Sequence, residues 1–372
     1  MSLSVGIVGL PNVGKSTLFN ALTKKQQAAA ENYPFCTIEP NTAVVEVMDS
    51  RVDKLAEMVK PERIIRATVE FTDIAGLVKG ASKGEGLGNK FLANIRECDA
   101  ILHVVRCFEN DDIIHVQEGG NKSAPIDPKG DAEVIETELI LSDMEQLQKR
   151  IDRIAKEAKA KPQMRPELEA CQSLLQHLEE GKSVRSYSRS DADVINGIIK
   201  ELHFLTAKKV IYCANVGDDN VTGEGNAHVE ALKEYAASQN SEMVIVCAQV
   251  EADLAGLSDD EAKEFLESYG LKESSLDRTI KLAYHTLGLA SYFTAGPLEA
   301  RAWTFRRGWK APKCAGVIHT DFEKGFIRAE VIAYDDYVSK GGVAGARAAG
   351  VLRAEGKEYE MQDGDIVEFL FN

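Results

Sequence analysis

The 372-residue chain predicts an α/β architecture: a doubly wound phosphate-binding domain, a helical insertion within it, and a second β-rich domain after it. Three observations carry this expectation. A short apolar strand, a glycine loop and an apolar helix follow one another in VGIVGLPNVGKSTLFNAL at 5–22. Apolar residues then recur at coiled-coil spacing between 140 and 178. From Arg301 onward, short strand patterns alternate with turn residues.

The first element reads residue by residue. Val5 to Val8 is a buried strand, and Thr17 to Leu22 continues as a helix with Leu18, Ala21 and Leu22 facing inward. Between them, Gly9-Leu10-Pro11-Asn12-Val13-Gly14-Lys15-Ser16 matches GxxxxGK[ST] in the strand-loop-helix context that motif requires. Glycines let the backbone wrap closely, so successive N–H groups point at phosphate oxygens. Asn12, Val13, Gly14, Lys15, Ser16 and Thr17 are the expected nucleotide-binding residues; Lys15 reaches the β- and γ-phosphates and the Ser16 hydroxyl ligates Mg²⁺.

A phosphate loop needs a second metal contact and a sensor of the γ-phosphate. Val69 to Thr72 is strand-like and ends in Asp73, placed to hold Mg²⁺ through a water. Gly76 completes Asp-x-x-Gly and can donate its N–H to the γ-phosphate. Upstream, Thr37 in NYPFCTIEPN is a candidate to close over the metal, the alternative being an ordinary loop threonine. Glycines at 76, 80, 84, 86 and 88 predict a mobile loop. Leu77 stands where many GTPases place a glutamine to orient the attacking water, so another group positions the water or turnover is slow. Asn12 is a candidate for binding K⁺, and His115 for swinging towards the γ-phosphate; a solvated loop histidine is the bland reading of the latter.

The composition is that of a globular protein, 44% apolar and 28% charged. The net charge of −15 argues against non-specific coating of nucleic acid. No apolar run approaches the ~20 residues of a membrane span, and the N-terminus does not read as a signal peptide. Seven scattered cysteines without a CxxC pair predict neither disulfides nor zinc, and fit a reducing cytoplasm.

The base-reading residues are unusual. The strand VIYCAN (210–215) ends in Asn215-Val216-Gly217-Asp218, where GTPases usually carry Asn-Lys-x-Asp, and Cys247-Ala248-Gln249 replaces the usual Ser-Ala-Lys. Both lysines of a guanine site are missing. Asp218 can still take guanine's donors, so the residues alone leave ATP and GTP open.

From Asp131, Ile140, Met144, Leu147, Ile151, Ile154 and Ala158 form one apolar seam, and Leu168, Cys171, Leu175 and Leu178 a second. Pro162 and Pro166 separate them, which predicts antiparallel helices turning near 160–166. Lys149, Arg150, Arg153, Lys156, Lys159, Lys161 and Arg165 make a basic tip, either a solvated face or a contact for RNA. In the C-terminal part a helix is expected around Tyr334 to Lys340, with a hairpin turn at Asp363-Gly364 before a closing strand, Ile366 to Phe371. Arg306, Arg307, Lys310, Lys324 and Arg328 are candidates for a basic surface. Trp303 and Trp309 read as packing residues.

NYPFCTIEPN together with DIAGLVKGASKGEGLGNKF resembles the Obg-related branch of the translation-factor P-loop proteins, and within it the Obg-like ATPases of the YchF family. HVVRCFEND at 103–111 and HTDFEKGFIRAEVIAYDDY at 319–337 extend the resemblance over essentially the whole chain. It implies an OBG-type G domain at 1–130 and 205–285, a coiled-coil arm at 131–204, and a β-grasp TGS domain at 286–372. It also implies ATP as the nucleotide, with Asn215 on adenine N6 and N7 and Val216 against the ring. Lys15, Gly76 and His115 would be catalytic, and Ser16, Thr37 and Asp73 would hold the metal. The usual acid of the family at position 218 is Glu, and Asp here leaves GTP use open. The implied partners are the ribosome (large subunit or 70S) or structured RNA, with no membrane and a monomeric chain. A GTPase, or a scaffold for which nucleotide is a structural ligand, are the alternatives.

Overall fold

The computed structural model describes residues 3–30, 41–74, 87–110, 125–188 and 192–372. Thr37, Gly76, Leu77 and His115 lie outside the described residues. So does most of the glycine-rich stretch expected to be mobile; Gly88, by contrast, is the second residue of a helix.

In chain order, β1 (Ser4–Val8) leads through the glycine loop into α1 (Lys15–Ala30), and β2 (Thr42–Glu46) leads to α2 (Ser50–Val59) and β3 (Arg63–Ile65). Next come β4 (Thr68–Asp73), α3 (Leu87–Glu97), β5 (Ala100–Arg106) and the helices α4 (Pro128–Ala158), α5 (Arg165–Glu179) and α6 (Ala192–Leu202). β6 (Lys209–Asn215), α7 (Ala227–Ser238), β7 (Glu242–Val246), α8 (Ala248–Leu254), α9 (Asp259–Ser268) and α10 (Ser275–Thr286) follow. The chain ends with β8 (Leu289–Ala295), β9 (Glu299–Arg306), α11 (Ala311–Ile318), α12 (Thr320–Lys324), β10 (Phe326–Ala333), α13 (Tyr334–Lys340), α14 (Val343–Ala348), β11 (Arg353–Glu355) and β12 (Asp365–Phe371).

The chain divides into two compact units, residues 1–43 with 70–279, and residues 44–69 with 280–372. The first is built on a sheet of order β2-β4-β1-β5-β6-β7. β1 pairs in parallel with both β4 and β5, and β5, β6 and β7 continue in parallel. The order reverses direction at β1, which places the end of that strand at a topological switch point, where α/β sheets hold their ligands. Every residue of β5 is buried, as a strand covered on both faces requires. On α1, Leu18, Ala21 and Leu22 are buried, as the helical spacing predicts.

The insertion is a helical hairpin. Asp127 caps α4 by accepting from Gly130 N at 3.0 Å, and Pro128 occupies the first turn, where a missing N–H costs nothing. A 3₁₀ turn at Pro162–Met164 reverses the chain into α5. Ile140, Leu147, Ile151 and Ile154 pack with Cys171, Leu174 and Leu178 in one core. The Arg150 guanidinium lies between Glu167 and Glu201, at 2.5 Å from each, so it locks the hairpin and is not a free cation of the tip. Lys156, Lys159, Lys161 and Arg165 remain exposed there.

The root of the hairpin is fixed by Asp143, fully buried, which accepts from Leu205 N (2.8 Å), Thr206 N (2.8 Å) and Thr206 Oγ1 (2.7 Å). Burial outweighs these bonds and raises its pKa from 3.8 to about 6.

The second unit holds a sheet of order β11-β10-β12-β8-β9-β3. Its core includes Tyr292, Trp303, Phe305, Cys314, Phe326, Val331 and Phe369, with Trp309 packed against it. Of residues 44–69, α2 and β3 belong here, whereas the family resemblance implied a nucleotide domain running through 1–130. β3 pairs in parallel with β9, and Arg51 on α2 bonds Asp49 and Asp363 while its guanidinium sits 5.1 Å from the Phe293 ring centroid. A short strand and a ten-residue helix carry no sequence mark of which sheet they join.

α13 spans the expected Tyr334–Lys340. The Asp363-Gly364 turn, however, closes no hairpin, because β11 and β12 both pair with β10 and flank it. The proposed basic surface is largely compensated: Lys310 pairs with Glu358, Arg307 with Asp363 and Arg328 with Glu330.

Candidate functional site

The loop from Gly9 to Gly14 has the backbone its sequence demands. Asn12 and Gly14 both adopt positive φ, 63° and 97°. Glycine is required at 14 twice over, since a Cβ there would also collide with the Asn215 side-chain amide. A Cβ at Gly9 would strike the Val104 carbonyl on β5. The loop is thus pressed against its neighbours at the N-terminus of α1. No acidic residue occupies the first turn of that helix, so nothing there opposes a bound anion.

Lys15 opens α1 and is only 8% exposed. Its ammonium donates to the Leu10 carbonyl at 2.6 Å. Burial lowers its pKa from 10.5 to about 8, against the opposing pull of Asp73. Asp73, at the end of β4, is itself raised by burial while Lys15 pulls it down. This lysine is held short of full charge by desolvation, and a phosphate chain would restore it. The Ser16 hydroxyl side is exposed, Thr17 is half-buried and Val13 is buried. Among the described residues no group of three or more His, Cys, Asp or Glu could hold a metal on its own. The Ser16 hydroxyl and the Asp73 carboxylate are a donor set that fits Mg²⁺, which takes one or two protein oxygens and fills its octahedron with phosphates and water.

Asn12, Gly14, Lys15, Ser16 and Thr17 line one side of an open cleft of about 520 Å³, a volume in the range of small-molecule sites. Its far wall is made of Phe108, Asn110, Val216, Gly217, Asp218, Cys247, Ala248 and Gln249. Val216 is buried and Asp218 is exposed at the rim. Phe108 and Asn110 lie in the HVVRCFEND stretch but were not expected at the site. The signal that could have found them is position: they follow β5, whose end pairs with β6 as Arg106 opposite Asn215. Arg106 holds their loop, donating to the Phe108 carbonyl (3.1 Å) and the Asn110 carbonyl (3.0 Å), with its guanidinium 4.7 Å from the Phe108 ring centroid.

Asn215 differs from its expected part. Its Nδ2 donates to the Val13 carbonyl at 2.8 Å and its Oδ1 accepts from Ala248 N at 3.0 Å. It is 4% exposed. The residue is first a tie between the phosphate loop and α8; only one N–H and one lone pair of the amide remain for a ligand. Of the expected site residues, Asn12 to Thr17, Asp73, Asn215 and Val216 all lie within the first unit. Lys15 and Asp73 are mutually charged neighbours, and Asn215 joins the loop to the far wall.

A glycine-wrapped loop at the end of β1, a buried lysine heading α1 and an aspartate at the end of the neighbouring strand define a P-loop nucleoside triphosphatase. Comparison with known proteins agrees. Residues 4–163 match the family model of the 50S ribosome-binding GTPases. Residues 289–372 match the C-terminal model of YchF-type GTPases, described as a protein of unknown function (DUF933). The "Ribosome-binding ATPase YchF" of Bacillus subtilis is 54% identical over 376 residues, covering 100% of both chains. That of Haemophilus influenzae is 53% identical over 373 residues, again covering 100% of both. The solved structure of the Schizosaccharomyces pombe YchF GTPase superposes with a TM-score of 0.87 at 38% identity, covering 99% of this chain and 98% of that one. The chain belongs to the YchF family. Among its described residues no helix is long and apolar enough to cross a membrane.

Proposed function

We propose that this protein is an ATP-hydrolysing switch that associates with the ribosome in the cytoplasm. The observation that carries the catalytic half is buried Lys15 at the glycine cradle, electrostatically coupled to the half-buried Asp73 and lining a cleft whose far wall has Val216 where guanine sites carry lysine. Ser16 and Asp73 would hold Mg²⁺, with Thr37 as a third contact, and the metal would supply charge neutralisation on the β- and γ-phosphates. Lys15 and the loop amides bind and orient the phosphate chain and offset the charge that develops on it. Gly76 would donate to the γ-phosphate. Asn12 would contribute to a K⁺ site, and His115 is the candidate for ordering the attacking water, since Leu77 cannot.

The ribosomal half rests on the relatives' names and on the exposed Lys156, Lys159, Lys161 and Arg165 at the turn of an acidic protein's helical hairpin. In this reading residues 286–372 serve as a TGS-type interaction module, and the chain acts as a monomer.

Asp218 at the cleft rim supports a second reading, a GTPase, because a carboxylate there can accept from guanine N1–H and the 2-amino group. Calorimetric titration of ATP and GTP with Mg²⁺, followed by phosphate-release assays, tests both. ATP should bind and be hydrolysed, and Lys15→Ala should abolish hydrolysis. Tight binding of GTP with none of ATP would overturn the first reading in favour of the second.

A further inference from the structure

The second unit holds a cleft of its own, of about 430 Å³, again in the range of small-molecule sites. Its walls come chiefly from the start of α2, the C-terminal half of α10 and the start of β8. Every lining residue falls within 47–67 or 281–363, inside that unit.

The floor is apolar and closed to hydrogen bonding. Val47, Leu289 and Ala290 are buried there. Tyr284 is buried beside them, and its hydroxyl already has three partners: the Ala290 carbonyl (2.9 Å), Ser291 Oγ (2.9 Å) and Thr304 Oγ1 (3.1 Å). A phenol has one donor and two lone pairs, so nothing of that hydroxyl is left for a ligand.

The acids of the lining are committed within the protein. Asp49 caps α2 through Arg51 N at 2.9 Å and binds the Arg51 guanidinium with both oxygens. Asp53 accepts from Arg66, which lies outside the lining. Asp363 accepts from Ser291 N at 3.0 Å and is then shared by two guanidiniums, Arg51 at 3.2 Å and Arg307 at 3.5 Å. Lys281 and His285, four residues apart, stand on one face of α10 and line the same cleft. Lys281, His285 and Arg307 are all exposed. With Asp53 paired to Arg66, the cations Arg51, Lys281 and Arg307 face only Asp49 and Asp363, in a chain of net charge −15.

We propose that this cleft binds a small phosphomonoester with an apolar body, independently of the triphosphate site. Lys281, His285 and Arg307 supply three separate donors, which suit the three terminal oxygens of a phosphomonoester; a carboxylate offers only two. The floor takes the body of the ligand and displaces water from beside the charged groups, which strengthens their attraction. Inorganic phosphate has no body to place there.

The test titrates phenyl phosphate, benzoate and inorganic phosphate into the full chain by calorimetry, with and without saturating ADP and Mg²⁺. Phenyl phosphate should bind at least ~10-fold more tightly than either of the others, and ADP should not displace it. Lys281→Ala combined with His285→Ala should weaken it ~10-fold or more, and Arg307→Gln alone should weaken it in the same direction.

No binding of phenyl phosphate at about 10 mM would overturn the proposal. So would its displacement by ADP, which would seat it in the glycine loop. Benzoate binding as tightly refutes the phosphate, inorganic phosphate binding as tightly refutes the apolar floor, and unchanged affinity in both variants refutes the site. All three substituted side chains are exposed, so the fold should survive; should the double variant fail to fold, Arg307→Gln and the ligand series on the parent chain decide. Failure of ADP itself to bind would sink the nucleotide reading and leave this one standing.

Discussion

Replacing Asp143 with asparagine should change how stability responds to pH, by an amount the structure sets. The carboxyl is fully buried at the root of the helical hairpin and titrates at about 6 instead of 3.8. Between those values the folded protein holds a proton that the unfolded chain has released. Stability therefore falls as pH rises from 3.8 to about 6, and is regained as pH drops through that window. Integrating from pH 7 to pH 5 gives a gain of about 1.3 kcal/mol from this one group. The side chain in Asp143→Asn cannot titrate, so that gain should vanish in the variant. Asparagine also turns an NH₂ towards one of the donors, Leu205 N or Thr206 N, which should cost ~1–3 kcal/mol at both pH values.

Urea unfolding at pH 7 and pH 5 measures both numbers. Both tryptophans, Trp303 and Trp309, lie in the second unit, so the hairpin must be followed by far-UV circular dichroism and not by fluorescence. Other carboxyls contribute to each curve, and taking parent minus variant removes them. A difference between the two pH values of zero, or of opposite sign, would refute the claim that desolvation dominates the three hydrogen bonds.

Gly14→Ala puts a side chain at φ 97° and into the Asn215 amide, so it should weaken triphosphate binding at least ~10-fold in a fluorescent-nucleotide titration and lower the melting temperature of the first unit. Lys15, at about 8, is largely neutral in the free protein at pH 9 and charged against phosphate. Binding should therefore take up as much as about one proton per nucleotide at pH 9 and almost none at pH 6.5, read by calorimetry in buffers of different ionisation enthalpy. Arg51→Ala removes the Asp49 and Asp363 pairs and the contact with Phe293, and should destabilise the second unit by ~1–3 kcal/mol, reported by tryptophan fluorescence.

The sequence was legible where one local pattern determines one local structure. GLPNVGKS forces a loop with positive φ at Asn12 and Gly14, and the two apolar seams force a hairpin, because each pattern has a single low-energy solution. It was illegible where the decision is long-range. α2 is a well-capped amphipathic helix with Val52, Leu55 and Ala56 buried, and that pattern would pack equally well on either sheet. What commits it is Arg51 meeting Asp363, residues separated by more than three hundred positions. The Asp363-Gly364 turn failed as a hairpin signal for the same reason: a turn residue fixes a local bend, and strand pairing is decided by β10 lying between its two neighbours.

The site repeats this division at finer scale. The residues proposed to hold phosphate are adjacent in sequence, and their spacing alone names them. The residues around the base come from the ends of three strands, β5, β6 and β7, and only their register brings Phe108, Val216 and Ala248 to one cleft. Position 215 shows why a motif is an incomplete guide even when it is matched. Asparagine there reads as a ligand to the base, yet its amide is mostly spent joining Val13 to Ala248. The same two bonds tie the glycine loop to the start of α8. Loss of Val216's lysine counterpart alone would weaken a guanine site without turning it towards adenine.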